Sequence, residues 1–139
     1  MDDQAKHSLS ALDPAFRRSV EAFIRFYMDR DAGDIRPYIH EDCQFEGAMT
    51  AGTLRGREIV MAHMKRSLHM PLAGSRMQAG SVQGQGRRVE LRWSAESASG
   101  EPIVRVEGVS RLESDERGLI RSIRIDWDPR PLMPRPPRG

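Results

Sequence analysis

Three stretches in the second half of the chain, residues 89–97, 103–113 and 119–128, alternate apolar and polar side chains with a period of two. Successive side chains of a β-strand point to opposite faces, so this period makes strands and excludes amphipathic helices. Val89, Leu91, Trp93 and Ala95 share one face of the first stretch, against Glu90, Arg92, Ser94 and Glu96 on the other. In the second, Val104, Val106, Gly108, Ser110 and Leu112 oppose Arg105, Glu107 and Arg111. In the third, Ile123, Ile125 and Trp127 oppose Ser122, Arg124 and Asp126. Three strands that agree on one oily and one charged face need something to cover the oily one. A fourth strand is expected over residues 77–83. The turns fall at Gly84-Gln85-Gly86, at residues 99–102 and at Glu116-Arg117-Gly118.

The cover comes from the first half. Asp13-Pro14 reads as a helix start, Asp capping and Pro at the first helical position. Phe16, Val20, Phe23, Ile24 and Tyr27 then recur at helical spacing. The segment 31–34 ends the helix, with Gly33 suited to a left-handed cap. A short second helix is expected near residues 35–40, presenting Ile35, Tyr38 and Ile39, followed by a short strand over residues 43–47. A third helix opens at Gly56-Arg57-Glu58, carries Ile59, Val60, Met61, Met64 and Leu68 as its apolar stripe, and stops before Pro71. Helices first and an antiparallel meander afterwards is an α+β pattern.

At 139 residues the chain is one domain, and a chain of this size buries roughly 68% of its unfolded surface. It divides into a flexible amino terminus, residues 1–12, a folded domain, 13–129, and a disordered Pro- and Arg-rich tail, 130–139. The pI near 9.1 suggests nucleic acid, but Arg130, Arg135 and Arg138 sit in that acid-free tail. Without them the net charge of +2 falls to about −1 for residues 1–128, so a basic nucleic-acid groove is not expected. No apolar run is long enough for a membrane span and the start lacks a signal-peptide pattern. The single cysteine, Cys43, makes no internal disulfide and is read as buried filler, which suits the cytoplasm. His40-Glu41-Asp42-Cys43 is too compact to converge on one ion, so no metal is expected. No dinucleotide or phosphate-loop fingerprint is present and no cofactor is expected.

With the elements placed, the chain resembles the nuclear transport factor two-like superfamily, and within it the SnoaL-like and ketosteroid-isomerase-like group. The resemblance rests on Phe26-Tyr27 with Ala32-Gly33-Asp34, on the run Tyr38 to Glu46, on Gly56-Arg57-Glu58-Ile59, and on Gly118-Leu119-Ile120 running into Asp126-Trp127-Asp128-Pro129. It implies a cystatin-like cone, with three amino-terminal helices packed on a strongly curved antiparallel or mixed sheet. It also implies an apolar cavity and a homodimer through the sheet. It does not imply one activity, since isomerases, cyclases, hydratases, epoxide hydrolases and non-catalytic binders share the fold.

The resemblance then bears on single residues. An isomerase of this group uses a carboxylate base and a Tyr–protonated Asp couple for the developing oxyanion. In this sequence Gly47 falls at the base and Gly108 at the Asp, while the Tyr falls at Phe26 or Tyr27. The cyclases carry an aspartate in an Asp-Trp pair of the last strand, as in Asp126-Trp127. Here Asp126 lies eight residues past Gly118 rather than seven, and alternation sends it to the charged face unless a bulge re-aims it. The epoxide hydrolases use an Asp–Arg–Asp set, of which Arg92 and Asp126 match two positions and Ser94 replaces the third.

Tyr27, His63 and Asp126 are therefore the candidate catalytic residues. His63 lies on the apolar side of the third helix and titrates near neutral pH, while Tyr27 suits a ligand carbonyl. The candidate ligand-lining set is Phe23, Phe45, Met64, Trp93, Val106, Gly108, Ser110, Ile125 and Trp127. The expected function is binding of a small apolar or polycyclic molecule, with cofactor-independent acid/base chemistry of the cyclase, isomerase or hydratase type. The alternative is a non-catalytic ligand-binding or protein-interaction domain.

Overall fold

A computed structural model describes residues 9–28, 35–47, 50–67, 76–96 and 104–128. The expectations on the helix stop at 31–34, the 99–102 turn, Leu68 and Pro71 lie outside these residues, as do residues 1–8 and the tail 130–139. Helix α1 spans Pro14–Met28 and buries Phe16, Ser19, Val20, Phe23 and Phe26, a stripe at three- and four-residue spacing. Just before it, Leu9 and Leu12 are core residues, and the Asp13 N–H donates to the Gly86 carbonyl at 2.9 Å. Helix α2 spans Arg57–Ser67 and buries Val60, Met61 and Met64, while Ile59 is exposed.

Six strands form one mixed sheet: β1 (Ile39–Gly47), β2 (Leu54–Arg55), β3 (Arg76–Gln85), β4 (Arg88–Glu96), β5 (Arg105–Ser114) and β6 (Ile120–Trp127). Their order is β2-β1-β6-β5-β4-β3, and β1 runs parallel to β6 while the other ladders are antiparallel. The alternation read from the sequence carries over. Val89, Leu91, Ala95, Val106, Gly108, Ser110, Leu112 and Ile123 are buried, and Arg92, Arg105, Glu107, Arg111, Arg124 and Asp126 are exposed. The oily face joins Phe16, Val20, Phe23, Phe26, Val60 and Met64 in one core. Each large side chain buried there contributes about 1.5–3 kcal/mol.

Two parts of the expected architecture need correction. Of the three helices expected, two, α1 and α2, are α-helices. The segment read as a second helix is a single 3-10 turn, Arg36–Tyr38, and Ile39 and His40 already belong to β1. One turn fixes several dihedrals for a single bond, and Ile39 pairs with Ile120 of β6 instead, so the turn passes directly into a strand. Nor is the sheet a strongly curved cone. It is open, with β2 and β3 as its two edges, and it neither closes nor curls strongly. Sharp bending needs bulges, and the β4/β5 ladder at its heart runs through nine consecutive pairs, Arg88↔Glu113 to Glu96↔Arg105, without one. The register shifts lie in the flanking ladders, between Ala79 and Val82, Glu113 and Ser114, and Ile39 and Gln44.

The β5–β6 turn locks to α1. Ser19 Oγ donates to the Gly118 carbonyl at 2.6 Å in a buried setting. Gly118 has φ +84°, and a Cβ there would press on Ala15 and Phe16, so only glycine fits. The Asp115 carboxylate accepts from the backbone N–H groups of Arg117 and Leu119, both at 2.9 Å. Burial raises its pKa, but these bonds and the Arg117 guanidinium outweigh that and hold it below the usual carboxylate value.

Candidate functional site: the helix-facing side of the sheet

Tyr27 sits in the last turn of α1, its ring centroid 5.0 Å from those of both Phe23 and Phe26. The ring keeps some exposure, but the hydroxyl oxygen is buried and has no hydrogen-bond partner among the described residues. Burial pushes its pKa up to about 12, partly offset by the side chain of Ser67. Ser67 Oγ gives its own hydrogen to the Met64 carbonyl at 2.6 Å, so toward Tyr27 it can act only as an acceptor. A buried hydroxyl without a partner costs about 1–3 kcal/mol.

His63 lies one helical turn before Ser67, on the same face of α2. Its ring packs on Phe45 of β1, centroids 4.8 Å apart and tilted by 59°. Its pKa is lowered by desolvation and, secondarily, by the Arg66 charge. Tyr27 and His63 both pack against the core on the helix-facing side of the sheet, Tyr27 through Phe23 and Phe26 and His63 through Phe45. The sequence reading passed over Ser67, although its four-residue spacing from His63 was the available signal. Cys43, also buried, is pushed up to about 12 by burial. All three shifts favour the uncharged form at neutral pH.

Strand register orders the lining residues in rows. Phe45 pairs with Ile123, and Ile123 with Leu112. The next row runs Gly47–Ile125–Ser110–Leu91, and the one beyond it Trp127–Gly108–Trp93. The glycines at the two positions where the resemblance led one to look for carboxylates are overlaid by neighbouring rings. A Cβ at Gly47 would meet Phe45 Cε1 at 3.1 Å, and one at Gly108 would fall inside the Trp93 indole. Among the remaining expected lining residues, Phe23, Met64 and Val106 are buried, and Trp93, Ile125 and Trp127 are half-buried.

Asp126 is not brought to this side. It lies 49% exposed on the opposite face, where it accepts from Arg111 Nη1 at 2.6 Å and pairs with Arg124 Nε at 3.3 Å. Arg92 on that face pairs with Glu90 at 3.2 Å, not with Asp126. Glu46 also points away, accepting from the Thr53 hydroxyl at 2.6 Å. The charged face carries a chain of such pairs and a shallow depression of about 840 Å³ lined by Gln83, Arg88, Glu90, Arg111, Glu113 and Arg124 among others. Among the described residues no three His, Cys, Asp or Glu side chains are grouped to hold a metal. His40 is spoken for: its Nδ1 accepts from the Asp42 N–H at 2.9 Å, and its Nε2 lies 3.7 Å from Asp115 Oδ2. No described helix is long and apolar enough to cross a membrane.

Among solved structures the fold is similar to a steroid delta-isomerase from Pseudomonas aeruginosa, with 17% identity over 85% of this chain and 82% of that one and a TM-score of 0.71. It is similar to an NTF2-like protein of unknown function from Mesorhizobium loti, with 19% identity over 92% and 96% of the two chains and a TM-score of 0.69. It is also similar to an LEH-like epoxide hydrolase from M. tuberculosis, with 18% identity over 82% and 83% and a TM-score of 0.62. At these identities the likeness is one of fold. No curated protein matches the chain. Residues 20–123, from the middle of α1 to the middle of β6, match the family model of the SnoaL-like domain, and the chain accordingly belongs to the SnoaL-like family within the NTF2-like superfamily.

Proposed function

We propose that the chain binds a small, neutral, largely apolar molecule between its helices and the oily face of its sheet, with Tyr27 as hydrogen-bond donor and His63 as proton acceptor. The observation that carries this reading is the buried Tyr27 hydroxyl, which has no hydrogen-bond partner of normal geometry among the described residues. With its pKa near 12 it donates at any physiological pH and suits a carbonyl oxygen. His63, with its pKa lowered by burial and Arg66, offers a neutral imidazole at pH 7. A ketone bound between them would lose an α-proton to His63 while Tyr27 stabilises the developing enolate oxygen. That is acid/base chemistry of the isomerase or cyclase type without a cofactor.

A second reading, binding without turnover, is favoured by the rings over Gly47 and Gly108 and by the outward turn of Asp126 and Glu46. The test separates the two. The protein is incubated with 1-tetralone in D2O, with binding followed by calorimetry and α-deuteration by NMR. Catalysed deuteration, reduced about 100-fold in His63→Ala and at least 10-fold in Tyr27→Phe, supports the enzyme. Binding without deuteration supports the carrier, and absence of binding by tetralone and related neutral ketones sinks both. The mixed charges of the opposite face support a homodimer through the sheet, since alternating signs are self-complementary about a twofold axis. The lone buried cysteine suits a reducing cytoplasm.

A further inference from the structure

A histidine that takes a proton is ordinarily aimed by a hydrogen bond on its second ring nitrogen. Among the described residues no hydrogen bond or ion pair fixes either nitrogen of His63. What touches the imidazole instead is the ring of Phe45, with centroids 4.8 Å apart and planes tilted by 59°. The helix that carries His63 is itself anchored, because Val60 and Met64 of α2 are fully buried. With the backbone held, the direction of the imidazole is left to its side-chain torsions, and the Phe45 ring is the contact that limits them. Phe45 is in turn held by the sheet. It is 3% exposed, and its position in β1 pairs with the buried Ile123 of β6.

Gly47 lies two residues further along β1, on the same side of the strand. A Cβ there would meet Phe45 Cε1 at 3.1 Å, and the ring would have to give way by a few tenths of an ångström. Gly47 therefore does more than leave out a carboxylate. It keeps open the space in which the ring that carries His63 can lie. The charged and titratable groups nearby do not take over the aiming. Arg66 acts on His63 as a charge, Glu46 is turned to the opposite face by the Thr53 hydroxyl, and Cys43 of the same strand holds an uncharged, buried thiol.

We propose that Phe45 is a positioning residue for His63: its ring sets the direction of the imidazole, and Gly47 reserves the space for that ring. The pair Phe45–Gly47 thus serves a base carried on α2 rather than on β1. The catalytic consequence rests on the reading that His63 accepts a proton, whereas the aiming of the ring does not.

The test is an imidazole ¹H–¹⁵N spectrum of the full, ligand-free chain, with the His63 signals identified by their loss in His63→Gln. Phe45→Leu removes the ring and keeps an apolar side chain, Phe45→Tyr keeps the ring, and Gly47→Ala displaces it. The His63 signals should move in Phe45→Leu and in Gly47→Ala and stay near the wild-type positions in Phe45→Tyr. The indole N–H signals of Trp93 and Trp127, the only tryptophans in the chain, should remain dispersed in all three, which marks an intact sheet. In α-deuteration of 1-tetralone, Phe45→Leu should lower kcat about tenfold and change KM less than about threefold, the split expected when a base is misdirected and the pocket is kept. Gly47→Ala should cost about threefold alone and nothing further in the Phe45→Leu background, because it acts through the ring. Unmoved His63 signals in Phe45→Leu overturn the positioning role, and so does a Gly47→Ala loss that persists without the ring. If Phe45→Leu does not fold, Gly47→Ala decides, and unmoved His63 signals there overturn the role equally. Signals that move as expected in a protein that deuterates no ketone leave the aiming by Phe45 standing and remove His63 from the proposed chemistry.

Discussion

Arg111 holds Asp126 by a 2.6 Å hydrogen bond on the face of the sheet that turns away from both helices. The two residues sit on neighbouring strands, with Asp126 opposite Val109 and Arg111 opposite Arg124, and all four charged groups of this patch, counting Glu90, share one surface. Asp126 is thus a member of an exposed network rather than an acid poised over a bound molecule.

Replacing Asp126 by Asn is accordingly expected to cost less than about 1 kcal/mol, the range of an exposed pair. Urea denaturation at low and moderate salt checks this, and the small effect should shrink as salt rises. Ligand binding and any turnover on the helix-facing side should be unchanged. A loss of either beyond about threefold, roughly 0.6 kcal/mol, would return Asp126 to the chemistry.

Gly108→Ala should behave differently, although it adds only one methyl group. The new carbon falls within the Trp93 indole, and the ring must swing away from Ser110. Overpacking of this kind costs about 1–3 kcal/mol. The midpoint of denaturation should fall, and the Trp93 indole N–H signal should move as its bond to Ser110 breaks. Trp93→Ala in the same background should recover part of the loss, because it removes the obstructing ring.

How far these features were visible in the residues themselves depends on the length scale of the cause. The β4, β5 and β6 alternation is written in adjacent residues, so element ends were read to within about two positions and the outward turn of Asp126 followed from counting. Ile35, Tyr38 and Ile39 fit one helical turn as well as the entry to a strand, and the outcome was set by pairing of Ile39 with Ile120, eighty-one residues away in the chain. Sheet curvature depends on where ladders slip, and no single strand records that. Gly47 and Gly108 were seen as missing carboxylates, but the rings of Phe45 and Trp93 that lie over them are tertiary facts. Ser67 was within reach by helical spacing from His63. Its bearing on Tyr27 needed the approach of α1 to α2.

Tyr27→Phe is expected to stabilise the ligand-free protein, an unusual sign for a change in a core-facing residue. The hydroxyl is buried with no partner among the described residues, and removing it relieves a desolvation cost of about 1 kcal/mol or more while keeping the ring contacts with Phe23 and Phe26. Thermal denaturation without ligand should therefore show a raised midpoint, and a neutral ketone should bind more weakly to the same variant. A variant that is both less stable and equally good at binding would mean that the hydroxyl is satisfied internally.

His63 gives the pH dependence. Its folded-state pKa lies below the ordinary value of 6.5, chiefly through desolvation and then through Arg66. The unfolded chain therefore binds a proton more readily than the folded one between the lowered pKa and 6.5, and stability must rise with pH through that window. Its contribution is fully present above about 6.5 and is lost as acidification carries the pH down through the folded-state pKa. Denaturation midpoints measured from pH 7.5 down to pH 5 should fall, and His63→Gln should flatten the profile above the range where carboxylates titrate. Ligand affinity should follow the same course if the neutral imidazole faces the ligand, with binding weakening in the same window in the wild type and losing its pH dependence in the Gln variant. If the wild-type stability profile is flat from pH 7.5 to 5, or keeps its slope in His63→Gln, the histidine is not the group that the fold desolvates.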